Sequence, residues 1–275
     1  MSSILEPQVG WPELVIMAAG LGLAYEICYR VGRRRGEETR EAKKSQADVA
    51  VAALLALLGL MLAFSFEIGA TRYDRRKELV LDEANAIATT YMRAELVPPP
   101  YDQHIQELLR SYIRARHGWN TPVELERAIK GSSSLHDDLW SNAVAAARAS
   151  PSAVTALFVT SLNNMIDLYE ARVTVGLYQR IPPAIFASLY LVSLLAMGMV
   201  GLRAGLDRSR GLLPAAILVA SIMCVMALIA SLDDPVSRLF QISQHALDDT
   251  ERLMKTAPGH GKNAISSSLF HVPSS

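Results

Sequence analysis

The chain has 275 residues, of which 51% are apolar and 20% charged, with a formal net charge of zero. That length allows one or two soluble domains, but the apolar residues are gathered into long uncharged runs, which excludes an ordinary soluble class. Only two cysteines occur, Cys28 and Cys224, both in apolar runs, so neither a disulfide framework nor a CxxC metal site is present.

The first run, Leu14–Tyr29, is long enough to approach the ~20 apolar residues a membrane helix needs. Glu26 lies near its end and is expected at the headgroups. No Lys or Arg precedes the run and no small-x-small cleavage pattern follows, so it does not read as a signal peptide. A basic loop follows, carrying Arg30, Arg33, Arg34, Arg35, Arg40, Lys43 and Lys44. Acids interleave from Glu37 onward, and the position beside a span points to membrane orientation and headgroup contact rather than nucleic acid.

The second run, Val49–Phe66, passes into charged sequence without a break. From Val49 to Val97 there is no proline, and Pro98, Pro99 and Pro100 then form a firm stop. A helix of that extent reaches about 70 Å. Beyond the apolar run, Val80, Ala84, Ile87, Ala88 and Tyr91 recur at helical spacing, so this part is expected to be soluble and to pack along one side.

More helices are expected downstream. Ile105, Leu108, Leu109, Tyr112 and Ile113 make one stripe. Thr121-Pro122-Val123-Glu124 is a capping box that predicts a short helix ending near Gly131. Ser134 and Ser150-Pro151 suggest further starts, the last opening a helix from Ser152 to Tyr178. Pro182 and Pro183 turn the chain into a third apolar run, Ile181–Leu202. A short loop with Arg203, Arg208 and Arg210 leads to the fourth, Leu212–Leu232. From Asp233 the tail is polar and without clear periodicity, and after about Thr256 its composition reads as disordered.

The expected fold is therefore an all-α membrane protein of four transmembrane helices in two pairs. Residues 1–66 hold the first pair, 67–180 a helical extramembrane domain continuous with the second span, 181–232 the second pair and 233–275 the tail. The basic loops place the short connections in the cytoplasm and the middle region outside.

Chemical motifs are sparse. There is no GxSxG elbow, and the APGHGKN segment around Lys262 lacks the spacing and hydroxyl residue of a phosphate loop. The six histidines are scattered, no HExxH occurs, and neither His136-Asp137-Asp138 nor Asp233-Asp234 has the geometry of a metal site. No enzyme, cofactor or metal is expected. Asn164 and Asp167 are i,i+3 neighbours with Arg172 a turn beyond, which suits a polar network between helices or contact with a ligand.

The stretch Phe64-Ser-Phe-Glu-Ile-Gly-Ala-Thr-Arg72-Tyr-Asp-Arg-Arg76 resembles the second helix of bestrophin channels. Asp82-Glu-Ala-Asn85-Ala-Ile, Asn164-Met-Ile-Asp167 with Arg172, and Leu232-Asp-Asp-Pro235 look more closely like bacterial bestrophin-like membrane proteins of unassigned function. The resemblance runs from about Val49 to about Ser243. It implies a multi-pass protein of the cell (inner) membrane and a homo-oligomer of five copies around an axis lined by the second span. Ala56, Leu60 and Phe64 would then form a hydrophobic constriction, and Arg72 and Arg75 would bias its exit toward small inorganic anions. The alternative for Ala56, Leu60 and Phe64 is a plain helix–helix seam, and for the whole chain a non-conducting scaffold or sensor whose helical domain binds a protein partner. The sequence departs from the channel pattern at Tyr73-Asp74, where a tryptophan pair is expected, and has no acidic calcium-binding run after the fourth span. The resemblance also implies a cytosolic middle region, opposite to the charge count.

Overall fold

The computed structural model describes residues 11–35, 41–116, 122–177, 179–234 and 245–256. Among these, regular structure is entirely helical: α1 (Trp11–Arg35), α2 (Glu41–Ala94), α3 (Tyr101–Ala115), α4 (Pro122–Ala149), α5 (Ala153–Leu177), α6 (Pro183–Leu206), α7 (Leu212–Asp233) and α8 (His245–Thr256). Four of them, α1, α2, α6 and α7, are long and apolar enough to cross a membrane.

The α2 helix runs unbroken for 54 residues, about 80 Å. No proline interrupts it, and its two glycines are tolerated because one face is held by neighbours. Packing divides the chain into two compact units, and α2 contributes to both, with the division at Leu79–Val80. The apolar composition ends thirteen residues earlier, at Phe66. The intervening turns stay with the first unit because Gly69 touches Leu232 and Arg76 binds the end of α7.

The first unit holds α1, α2 to Leu79, α6 and α7. Its closest seam joins the first and third spans, α1 and α6. Gly201 and Gly205 on α6 are a GxxxG pair lying against the carbonyl oxygens of Tyr25 and Tyr29, and a Cβ at either position would overlap those oxygens. In a membrane, where water drives no hydrophobic association between helices, such close approach supplies the van der Waals contact that holds them. Leu21, Tyr25, Leu58, Leu189, Met197, Ile222 and Met226 fill the core beside the seam. Asp233 Oδ1 accepts from the Ile181 N–H at 2.9 Å, and Arg76 donates to the carbonyls of Leu232 and Asp233. One cation thereby closes the open carbonyl end of α7.

The second unit is built from α2 from Val80 onward, α3, α4, α5 to Tyr169, and α8. Ile87, Tyr91, Ile105, Leu109, Ile113, Leu139, Ala146, Phe158, Leu162 and Met165 form its buried apolar interior. The expected helix end near Gly131 does not occur. α4 continues to Ala149, with Ser132 satisfied by the Ala128 carbonyl at 2.7 Å. A single glycine in a helix interior weakens it by only ~1 kcal/mol, which the buried residues Leu139, Ala143 and Ala146 outweigh.

The tail also contains more order than its composition suggested. α8 buries Leu247, Thr250 and Met254 against α3 and the α2 backbone, with Thr250 Oγ1 donating to the Ala84 carbonyl at 3.4 Å. Those residues do follow a helical i, i+3, i+7 pattern, obscured by a threonine at its centre. Thr121 of the capping box and the tail beyond residue 256 lie outside the described residues.

Candidate functional site

An α-helix advances 100° per residue, so Ala56, Leu60 and Phe64 lie within 80° of one another on α2. All three are exposed in the single chain, Leu60 at 53% and Phe64 at 62%. The opposite face carries Leu58, Ser65, Gly69 and Arg76, all buried in the first unit. The stripe is therefore not the seam that holds this unit together.

Below Phe64 the same exposed face continues through Glu67, Thr71, Asp74, Arg75 and Glu78. Arg75 is ion-paired with Glu78 at 2.5 Å, and both side chains are more than half exposed. Arg72 departs from this face. It is half-buried among the groups around Asp233, together with Arg76 and Arg180, and its Nη1 is enclosed without a hydrogen-bond partner. The two arginines expected at one exit are only about 60° apart on the helix, but Arg72 lies on the side turned toward Asp233 and Arg75 on the side of the exposed stripe.

Asn164 and Asp167 are exposed on α5, and the Asp167 carboxylate accepts from Asn163 Nδ2, one turn earlier on the same helix, at 2.9 Å. Arg172, farther along α5, is buried and has interaction partners. No group of three or more His, Cys, Asp or Glu side chains among the described residues is arranged to hold a metal.

A buried polar site lies elsewhere, inside the second unit, and sequence reasoning passed over it. Glu83 is fully buried on α2 and receives two bonds from Arg116, at 2.9 and 3.2 Å, and one from the Tyr112 hydroxyl at 2.9 Å. The Arg116 guanidinium also lies 4.8 Å from the Tyr169 ring centroid. His136 sits between Tyr112 and Tyr169, with centroids 5.0 and 4.6 Å away. Tyr169 in turn donates to the Ile129 carbonyl at 3.0 Å. Burial, then the Glu83 carboxylate, raises the Tyr112 phenol well above its ordinary value. Burial, then the Arg116 charge, lowers His136 from 6.5 to about 4, so the ring is neutral at physiological pH. The signal was a charged residue at a core period in each of two stripes: Glu83 beside Val80 and Ile87, and Arg116 one turn after Tyr112. The Glu83 carboxylate is satisfied by Arg116 and Tyr112, while His136 Nε2 is enclosed without a hydrogen-bond partner, so the ring is held by its two aromatic neighbours.

The sequence model of the Bestrophin-like domain matches residues 18–247, covering all four long apolar helices in whole or in part. No match was found among curated proteins or among solved structures.

Proposed function

Because the chain belongs to the bestrophin-like family, we propose that it is a membrane protein whose copies assemble around a passive ion pore lined by the second span. The observation that supports this most is the exposed stripe Ala56, Leu60 and Phe64, set opposite the face that packs within the chain. Ringed around an axis, these side chains make an apolar constriction that gates by dewetting. The same arrangement requires a homo-oligomer, with five copies as the family resemblance implies, in a cell (inner) membrane. We assign it no catalytic step and no resident cofactor.

Selectivity follows from the charges sharing the stripe's face. Anions were expected from Arg72 and Arg75 together. Only Arg75 shares the face, beside Glu67, Asp74 and Glu78, so the mouth of such a pore has three carboxylates for each guanidinium and favours cations. Purified protein in planar bilayers under a KCl gradient tests both statements. Currents are expected, larger or ungated in Phe64→Ala, with a reversal potential on the potassium side. A chloride-side reversal would return the pore to anions, and silence from a well-folded oligomer would remove it.

A non-conducting scaffold or sensor is the second reading. It is favoured by Met92, Leu96 and Leu157 of the helical unit, each more than half exposed. That reading expects silent bilayers and a partner lost on Met92→Asp.

A further inference from the structure

The end of the first unit where α1 and α6 finish has two groups of charges, and they differ in balance. In one, Lys44, Asp48, Arg203 and Asp207 neutralise each other, with Lys44–Asp207 at 3.0 Å and Arg203–Asp48 at 2.5 Å. In the other, Tyr29, Arg30, Arg33 and Arg34 of α1 and Arg208 and Arg210 of the α6–α7 turn line an open cavity of about 710 Å³. Glu26 is shared there by Arg30 at 2.8 Å and Arg210 at 3.1 Å, and no ion pair reaches Arg33 or Arg34 among the described residues. The Arg210 guanidinium lies 5.2 Å from the Tyr29 ring centroid, which holds it at the cavity wall.

The turn itself is strained in a telling place. The Ser209 N–H bonds the Ala204 carbonyl at 3.2 Å and the Arg208 N–H bonds that of Gly205 at 3.1 Å. This is the Schellman ending of α6, whose left-handed position ordinarily holds glycine. Here Arg208 occupies it at φ 55. Arg208 thus carries a Cβ at a position that disfavours one, and its side chain lines the cavity.

We propose that the cavity is a phosphate site, with Arg33, Arg34, Arg208 and Arg210 as its donors, and that its ligand is an anionic phosphate ester. Planar guanidinium groups match phosphate oxygens in pairs, and convergent arginines beside membrane helices suit a headgroup. Ile27, Val31, Leu212 and Leu213, all exposed, lie within about a turn of the cavity along α1 and α7, where acyl chains of such a lipid would lie. Free phosphate esters share the headgroup's chemistry, so the test separates the two sources.

The full chain in neutral detergent is titrated with phosphatidylglycerol, phosphatidylcholine, glycerol 3-phosphate or inorganic phosphate while its thermal midpoint is followed. A lipid occupant raises the midpoint by several degrees with phosphatidylglycerol and not with phosphatidylcholine. A soluble occupant raises it with glycerol 3-phosphate or inorganic phosphate as well. In either case Arg33→Gln/Arg34→Gln weakens the response at least tenfold, whereas Arg252→Gln on α8 leaves it unchanged. Should the double variant misfold, Arg208→Gly relieves the strained turn, raises the basal midpoint and still weakens the phosphate response. The proposal is overturned if no phosphate-bearing anion is preferred over phosphatidylcholine, or if the folded variants respond as the parent does.

Discussion

Glu83 and Arg116 each occupy a core position of an amphipathic helix, where a lone charge would be among the most destabilising groups a fold can hold. Together, with Tyr112 adding a third bond to the carboxylate, they are satisfied. Glu83→Gln removes one charge and strands the other, and is expected to cost about 3–5 kcal/mol in thermal or denaturant unfolding. The apolar double change Glu83→Leu/Arg116→Met should recover most of that loss, because no buried charge remains. His136 adds a pH dependence of opposite origin. Its proton is bound in the unfolded chain below pH 6.5 but in the folded chain only below about 4. Stability from this group is therefore complete above pH 6.5 and falls as pH drops toward 4, by up to about 3 kcal/mol. His136→Phe keeps a ring between Tyr112 and Tyr169 and should flatten that window when unfolding is followed from pH 7 to 4.

At the scale of elements, the membrane seam and the helical unit are held by different physics. α1 and α6 meet backbone to backbone through Gly201 and Gly205, so Gly201→Leu must push the helices apart. The expected loss is about 3 kcal/mol or more, read as a lower midpoint in detergent, while Gly59→Leu on the open face of α2 should change little. In the helical unit, water-driven burial dominates, and α8 joins it through the buried side chains of Leu247, Thr250 and Met254. The long runs of α1, α2, α6 and α7 were legible because a span is defined by composition over twenty residues. The continuity of α4 and the docking of α8 were not. Both depend on what faces the helix, and a glycine or a central threonine reads the same in sequence whether a neighbour compensates for it or not.

At the scale of the whole molecule, the exposed stripe of α2 sets the expectation for assembly. If copies ring an axis through this face, a cysteine at Leu60 should cross-link chains after Cys28 and Cys224 are replaced, whereas a cysteine at Leu58, inside the single chain, should not. Cross-linking at neither position, in an oligomer shown to be intact, would move the axis elsewhere. The sequence by itself determined the class: an all-helical chain with four spans, an unbroken second helix and a helical region after it. Those features follow from local composition and the absence of proline. Tertiary structure alone decided that the first and third spans form the tightest seam. It likewise turned Arg72 inward while leaving Arg75 with carboxylates, and joined Glu83 to Arg116. Each of these depends on which face of a helix meets which neighbour. A helix presents every face equally until packing chooses one.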